Sequence, residues 1–467
     1  MTGRGEVFRA AGGVLLLATL ALVVLVEWTG ASALSWGAAA TTTGAVALLS
    51  LGVGWSRRAF ALIGAALLVA AALVLPDARD AAQAAFGSAS FIAAFFTALT
   101  AIRSAATTSP AIEACGRFLA EQPPGRRYGA LTLGGQLFGL ILMYGAISLL
   151  GSLAASSAAR EANAEIRAHR TRRMLIAIQR GFVSTLPWSP LAFAMAISIT
   201  LVPGADWADA VGPCAVSGLL LAGMGWALDS AFKPRLSTPP PPRAEPEGRW
   251  SERLRPLLAL LGVLVAAVGA LHAATGLRVV ALVMTVVPLV ALGWVALQER
   301  GGGRWRRLGA RARAYATSEL PLNASEVVLL VMAGFIGALG ARLSAPLVAA
   351  SGLDLGASPG WAILLAVFWT IPLAGQVGMN PILAVSLLAP LLPGPREMGV
   401  SPTAVIVAVT GGWALSGATS PFTASTLLVG RLCGVGASHV GLRWNGAYAL
   451  ACGAALSLWV CVVAAAW

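Results

Sequence analysis

Apolar residues run through this chain in blocks of about 17 to 25, apolar on all sides, with short polar stretches between them. A lipid-facing strand would alternate with period two over about ten residues, so the blocks predict membrane-spanning helices and not a β-barrel. In the first half the blocks are Gly12 to Trp28, Leu34 to Gly54, Phe60 to Pro76, Ala81 to Ile102, a short piece Ala111 to Ala120, Tyr128 to Leu153, Met174 to Val202 and Val211 to Ala231. In the second half they are Leu257 to Ala274, Val279 to Leu297, Val327 to Ala350, Trp361 to Ala374, a short piece Pro381 to Leu392, Thr403 to Gly430 and Gly446 to Ala466.

Polar, proline-bearing interruptions fall inside or between these blocks at Thr107-Thr108-Ser109-Pro110, Ser184-Thr185-Leu186-Pro187-Trp188-Ser189-Pro190, Gly378-Met379-Asn380-Pro381, and from Ser416 to Thr426. In hydrocarbon every backbone group needs a partner, so a run of glycine, hydroxyls and proline at mid-span predicts a broken helix. A serine beside a proline often does no more than cap the backbone of a kinked helix. Here the interruptions recur in the same order in both halves, which favours a site over a set of kinks. Between the halves Lys233 to Arg255, with Pro239-Pro240-Pro241-Pro242 and mixed charges, reads as a solvated linker.

The predicted fold class is therefore an all-α polytopic membrane protein with two structural repeats, helical hairpins and broken helices. Residues 1–232 form the first repeat, with scaffold spans, a hairpin around 103–120 and a broken helix at 174–203. Residues 233–256 are a cytoplasmic linker, and 257–467 the second repeat, with a hairpin at 359–393 and a broken helix at 401–434. Tyr128 to Leu153 has no clear counterpart in the second half.

Composition agrees: 58% of residues are hydrophobic and only 11% charged, about half the usual soluble share. The net charge of +13 sits in loops between spans, on Arg160 to Arg173, Lys233 to Arg255 and Arg300 to Arg313, which marks those loops as cytoplasmic and argues against a nucleic-acid footprint. The loops at Asp77 to Asp80, Asp206 to Asp209 and around Asp354 fall on the opposite side. The amino terminus is then inside and the carboxyl terminus outside. Lys233 is the only lysine; arginine, alanine and glycine in such excess suit a GC-rich bacterial genome and hence a bacterial inner membrane. The first apolar run continues to Val26 with no small-residue cleavage site, so it reads as a retained span rather than a signal peptide. Five scattered cysteines (Cys115, Cys214, Cys433, Cys452, Cys461) give neither a disulfide framework nor a metal spacing.

Two halves, each with scaffold helices, a polar-tipped hairpin (Thr108-Ser109-Pro110, then Met379-Asn380-Pro381) and a broken helix (Trp188-Ser189-Pro190, then Thr419-Ser420-Pro421), resemble the ion transporter superfamily of secondary carriers. That family includes divalent anion/sodium symporters. The resemblance implies inverted repeats, an elevator-like movement of a transport domain against a scaffold, and frequently a homodimer. The sodium-coupled anion branch carries Ser-Asn-Thr at its hairpin tips, where this chain has Thr107-Thr108-Ser109 and Gly378-Met379-Asn380.

Pro110, Pro190, Pro381 and Pro421 each follow Ser or Asn, so each is placed to open a half-helix whose free amides and positive dipole end face the break. Four such ends would cradle an anion with backbone and hydroxyls. The candidate contacts are Thr108, Ser109, Ser184, Thr185, Ser189, Asn380, Ser416, Thr419, Ser420 and Thr423. Alanine at Ser109, Ser189, Asn380 or Ser420 is expected to weaken binding without loss of folded protein. Ionisable residues near apolar blocks are functional suspects. Arg103 is placed to meet an anionic substrate, and Glu113 to carry a proton unless Arg117, at i+4, simply neutralises it. Arg180 stands among Arg170, Arg172 and Arg173 and reads as an inside anchor.

The function these features point to is secondary active transport of a small, anionic solute, coupled to a proton or sodium gradient. No cofactor is implied beyond Na+ or H+ as coupling ion. No cluster of His and carboxylates suggests a metal site, and no Gly-rich loop followed by lysine suggests ATP hydrolysis. The alternatives are a cation/proton antiporter using Glu113, a lipid-handling membrane protein, or a membrane enzyme.

Overall fold

The computed structural model describes residues 3–233, 237, 248–299, 304–351 and 358–466. The Pro239 to Pro242 run, Asp354 and Trp467 lie outside the described residues. In chain order the helices are α1 Gly3–Thr29, α2 Ala33–Ser50, α3 Trp55–Val74, α4 Ala78–Thr107, α5 Pro110–Ala120, α6 Arg127–Leu142, α7 Gly145–Ala159, α8 Ala164–Val183, α9 Phe193–Leu201 and α10 Trp207–Ala231. They continue as α11 Trp250–Thr275, α12 Val279–Gln298, α13 Arg304–Ala314, the single turn α14 Leu320–Leu322, α15 Ala324–Ala350, α16 Gly360–Gln376, α17 Pro381–Leu388, α18 Pro402–Thr419, α19 Ala424–Cys433 and α20 Gly446–Ala465. Two π-helical segments, Tyr315–Glu319 and His439–Trp444, precede α14 and α20.

The protein is an all-helical polytopic membrane protein; among the described residues nine helices are long and apolar enough to cross a bilayer. Eight of these, α1, α3, α4, α10, α11, α12, α15 and α20, overlie apolar blocks of the sequence, with α1 and α11 beginning about two turns earlier, and the ninth runs from Pro402 to Cys433 across α18 and α19; the shorter α2 and α16 also match their blocks. The exception is Tyr128 to Leu153, which is not one span. It divides at Met143, whose φ is 54° and ψ −137°, into α6 and α7.

The chain divides into two compact units. The first draws on residues 1–106, 263–357 and 382–393, the second on 107–262, 358–381 and 394–467. These units cut across the order of the repeats: each contains segments from both halves of the chain.

In the first unit α4 is the buried element, with every residue from Phe91 to Thr100 out of solvent. A helix apolar on all sides belongs in such a place. The pair α1 and α2 is stitched by polar contacts rather than by size: the Thr19 and Thr41 hydroxyls lie 2.9 Å apart, and Thr42 donates to Ser90 of α4 at 3.0 Å. Small hydroxyl residues let helices in lipid approach closely and bond across the gap.

In the second unit α18 holds the centre, buried throughout from Thr403 to Thr419. It starts where it does because Pro402 fits the first helical position and Ser401 Oγ accepts the Ala404 amide at 3.1 Å. Helix α8 starts at an Asn163 cap, which accepts from the Glu165 and Ile166 amides at 2.9 and 3.2 Å. Helix α19 stops at Gly434, whose left-handed φ of 68° suits glycine.

Candidate functional site

Two helices of the second unit are broken, and they are broken in the same way. Helix α8 ends at Val183 and the chain resumes as α9 at Phe193; helix α18 ends at Thr419 and resumes as α19 at Ala424. In the first break the Leu191 amide donates to Ser189 Oγ at 3.1 Å, and the Ala192 amide to the Ser189 carbonyl at 3.0 Å. In the second the Phe422 amide donates to Ser420 Oγ at 3.3 Å and the Thr423 amide to the Ser420 carbonyl, also at 3.3 Å. Proline fixes φ at the second position of each turn while serine supplies both acceptors. Pro190 and Pro421 therefore sit in turns, three residues ahead of the half-helices, whereas Pro110 and Pro381 each open a helix directly.

Along each break lies a helix carrying the pattern Leu-x-Gly-Gln: Leu133-Gly134-Gly135-Gln136 in α6, and Leu373-Ala374-Gly375-Gln376 in α16. Helices α6 and α8 meet so closely that a Cβ on Gly181 would overlap the Thr132 carbonyl. The equivalent contact in the other pair is Gly412 of α18 against the Phe368 carbonyl of α16. Each glutamine then reaches the break beside it. Gln136 Nε2 donates to Ser184 Oγ at 3.0 Å, and Gln376 Nε2 to Thr419 Oγ1 at 3.3 Å. The breaks are neighbours: a Cβ on Gly417 would stand 3.3 Å from both Leu186 and Val183. Thus α16 is the second-half counterpart of α6, which the sequence pattern of Tyr128 to Leu153 does not offer.

The end of α18 leaves carbonyls to satisfy, since the last turn of any helix does. The Ala418 carbonyl accepts from Asn445 Nδ2 at 3.2 Å and from Gln179 Nε2 at 3.5 Å, and Asn445 Nδ2 also lies 3.0 Å from Gln179 Oε1. The Gly417 carbonyl takes the Ser425 hydroxyl, and the Ser420 carbonyl takes Thr423 at 2.9 Å and Thr426 at 2.6 Å. Behind this network Arg180 is only 6% exposed; its Nε donates to Asn445 Oδ1 at 3.0 Å and its guanidinium lies 4.3 Å from the centre of the Tyr448 ring. The position read as an inside anchor is an interior one, two turns of helix beyond Arg173.

The structure brings together Ser184, Thr185, Ser189, Ser416, Thr419, Ser420 and Thr423 at the paired breaks of the second unit. Ser416 Oγ is buried and has no hydrogen-bond partner among the described residues. Thr108 is exposed and Ser109 caps the start of α5 without a side-chain hydrogen bond, while Asn380 is half-buried just ahead of α17. These three stand where the chain leaves one unit for the other. Arg103 belongs to the first unit, where its Nη2 donates to Asn323 Oδ1 at 3.0 Å, next to Ser104 donating to Glu319. Glu113 faces out on α5, paired with Arg117 at 2.8 Å and 49% exposed. In the sequence Gln136 and Gln376 are marked by the repeated Leu-x-Gly-Gln, whereas Gln179, Asn445 and the interior place of Arg180 carry no pattern.

The hydroxyls of Ser189 and Ser420 are engaged inside the fold, since Ser420 Oγ also donates to the Gly375 carbonyl at 2.6 Å. Removing it loses two hydrogen bonds, the one from the turn amide and the one to the Gly375 carbonyl, which keeps the Gly378 amide at 3.3 Å, so Ser420→Ala should cost about 2 kcal/mol. Ser189→Ala forfeits one turn bond and should cost about 1 kcal/mol. Thermal unfolding of the purified variants in detergent measures both, and equal stability of Ser420→Ala and wild type would contradict the geometry.

Protein-family models offer no match to the chain, and no curated protein matches it. Solved structures do. The YdaH transporter of Alcanivorax borkumensis, described as having an unusual topology, superposes with a TM-score of 0.54 at 18% identity, over 87% of this chain and 98% of that one. MtrF of Neisseria gonorrhoeae, described within a class of antimetabolite efflux pumps, superposes with a TM-score of 0.55 at 15% identity, over 90% of this chain and 97% of that one. The chain is similar in fold to both of these membrane transporters along nearly its whole length.

Proposed function

We propose that the chain is a secondary active transporter carrying a small anionic solute across a bacterial inner membrane, driven by a proton or sodium gradient, with its amino terminus cytoplasmic. The observation that carries this reading is the pair of broken helices, closed by matching Ser-Pro turns and each served by a Leu-x-Gly-Gln helix. Non-helical backbone at membrane depth is tolerated where it is buried in protein or lines a cavity, and transporters place their solutes at such breaks. The shared fold with two transporters supports it. The proposed solute contacts are Ser184, Thr185, Ser416, Thr419 and Thr423, with Gln136 and Gln376 added and Ser189 and Ser420 shaping the turns; Thr108, Ser109 and Asn380 are outer contacts. Following the resemblance to the ion transporter superfamily, the second unit is the moving part of an elevator-like cycle and the carrier is a homodimer.

Reconstitution into liposomes tests this. Labelled carboxylates, sulfate and phosphate are offered under an imposed proton or sodium gradient, and accumulation that collapses with the matching ionophore is expected. Absence of gradient-dependent flux under either ion sinks the reading. Ser416→Ala sharpens it: since the buried hydroxyl has no partner to lose, stability should hold within about 0.5 kcal/mol. Solute affinity should fall about tenfold. Unchanged affinity would take Ser416 out of the site.

A further inference from the structure

Burying a charge without an opposite charge is among the largest penalties a fold can carry, because the interior returns little of the lost hydration. Glu161, Arg170 and Arg180 are charged side chains buried to less than a tenth of their surface among the described residues. Arg180 is the one beside a break: the Ser184 amide donates to its carbonyl at 3.1 Å, one helical turn on. Its five N–H groups meet the Asn445 amide oxygen at 3.0 Å, the Tyr128 hydroxyl at 3.3 Å and the Trp444 carbonyl at 3.4 Å. All three acceptors are neutral. The carboxylate on this stretch of α10, Asp229, is already held in a two-pronged pair by Arg173 at 2.8 and 2.6 Å. The α8 carboxyl end supplies about half a negative charge, which leaves the guanidinium only partly compensated.

Resting on the transporter reading above, we infer that Arg180 supplies the fixed positive charge that makes the paired breaks select an anion over its neutral isostere. The solute class is a carboxylate or an inorganic oxyanion, held by hydroxyls and amides in the breaks, with Arg180 acting through the low-dielectric interior rather than by contact. It is a positioning and selectivity residue. Gly225 of α10 belongs to the arrangement, because a Cβ there would stand 3.2 Å from Arg180 Cδ and 3.0 Å from the Tyr128 hydroxyl. A unit charge about 8 Å away at an effective dielectric of about 20 multiplies an anion's affinity by a factor of about 30.

The test uses matched pairs, benzoate with benzamide and succinate with succinamide, together with sulfate and phosphate, binding to purified full-length protein by calorimetry and thermal shift. Wild type should prefer the anion of at least one pair. Arg180→Gln should lose about 30-fold for that anion and little for its amide, while Arg180→Lys keeps most of the preference. Where Arg180→Gln yields no folded protein, Gln179→Glu carries the test: it retains the acceptor for Asn445, sets a negative charge next to Arg180, and should also cost about tenfold for the anion. The inference is overturned if wild type binds no anion of the panel, if the anion-to-amide ratio is unchanged in these variants, or if both members weaken equally. Arg180-dependent anion binding without flux in liposomes would instead retire the transporter reading and leave this one standing. Flux with an unchanged ratio would do the reverse.

Discussion

Gly441→Ala is expected to destabilise the protein by about 3 kcal/mol, more than any other single methyl group considered above. Gly441 lies in the π-helical segment His439–Trp444, and a Cβ there would overlap the carbonyl of Thr419, the last residue of α18. Both partners are backbone, so neither can rotate away; one of the two elements must shift. The shift falls on Thr419, whose Oγ1 accepts from Gln376 at 3.3 Å, and next to Ala418, whose carbonyl holds Asn445 at 3.2 Å. Stability and solute affinity should therefore fall together. The control is Gly446→Ala, five residues on at the start of α20, where a Cβ would meet nothing within 4 Å. Thermal unfolding in detergent, read for both variants, should separate them clearly. Equal melting points would mean that the π-helical segment is not pinned against the break.

How the π-helical segment meets α18 could not have been read from the sequence, and the reason is physical. A run such as His439-Val440-Gly441-Leu442-Arg443-Trp444 contains no proline and no distinctive period, so its departure from α-helical geometry is fixed by what it packs against. The same holds at Met143, where Leu142-Met143-Tyr144-Gly145 is apolar enough to pass for the middle of a span. By contrast the breaks at Ser184 to Pro190 and Ser416 to Thr423 were legible, because a Ser-Pro step names both the residue that fixes φ and the oxygens that take the freed amides. The spans themselves were legible because hydrocarbon sets a length. Arg180 reads as an anchor only through its neighbours: Arg172 and Arg173 are half-buried, yet seven residues of helix beyond Arg173 is about 10 Å, far enough to pass into the interior. Arg103 stands just ahead of the point where the chain passes from one unit to the other, so closeness in sequence to an interruption does not place it in the unit of the breaks, whereas Glu113 shares that unit and pairs with Arg117.

Changing both glutamines of the repeated Leu-x-Gly-Gln pattern should lower transport by about 100-fold, against about tenfold for Gln136→Leu or Gln376→Leu alone. Leucine is close to glutamine in volume, so the glycine contacts beneath it, Gly181 against Thr132 and Gly412 against Phe368, are left in place and the helices should remain paired. What is lost is the amide. Gln136 spends one N–H on Ser184, and Gln376 divides its nitrogen between Thr419 and the Pro372 carbonyl at 3.4 Å; the rest of each amide remains to hold a solute or water at the break. Since the two glutamines serve different breaks and share no hydrogen-bond partner, their effects should multiply if the solute touches both. A double variant no worse than the worse single one would show that the solute engages only one break, and that the second repeat element is structural. Initial rates in liposomes, with calorimetric affinity beside them, distinguish these outcomes, and unfolding free energies within about 0.5 kcal/mol of wild type confirm that folding is not what changed.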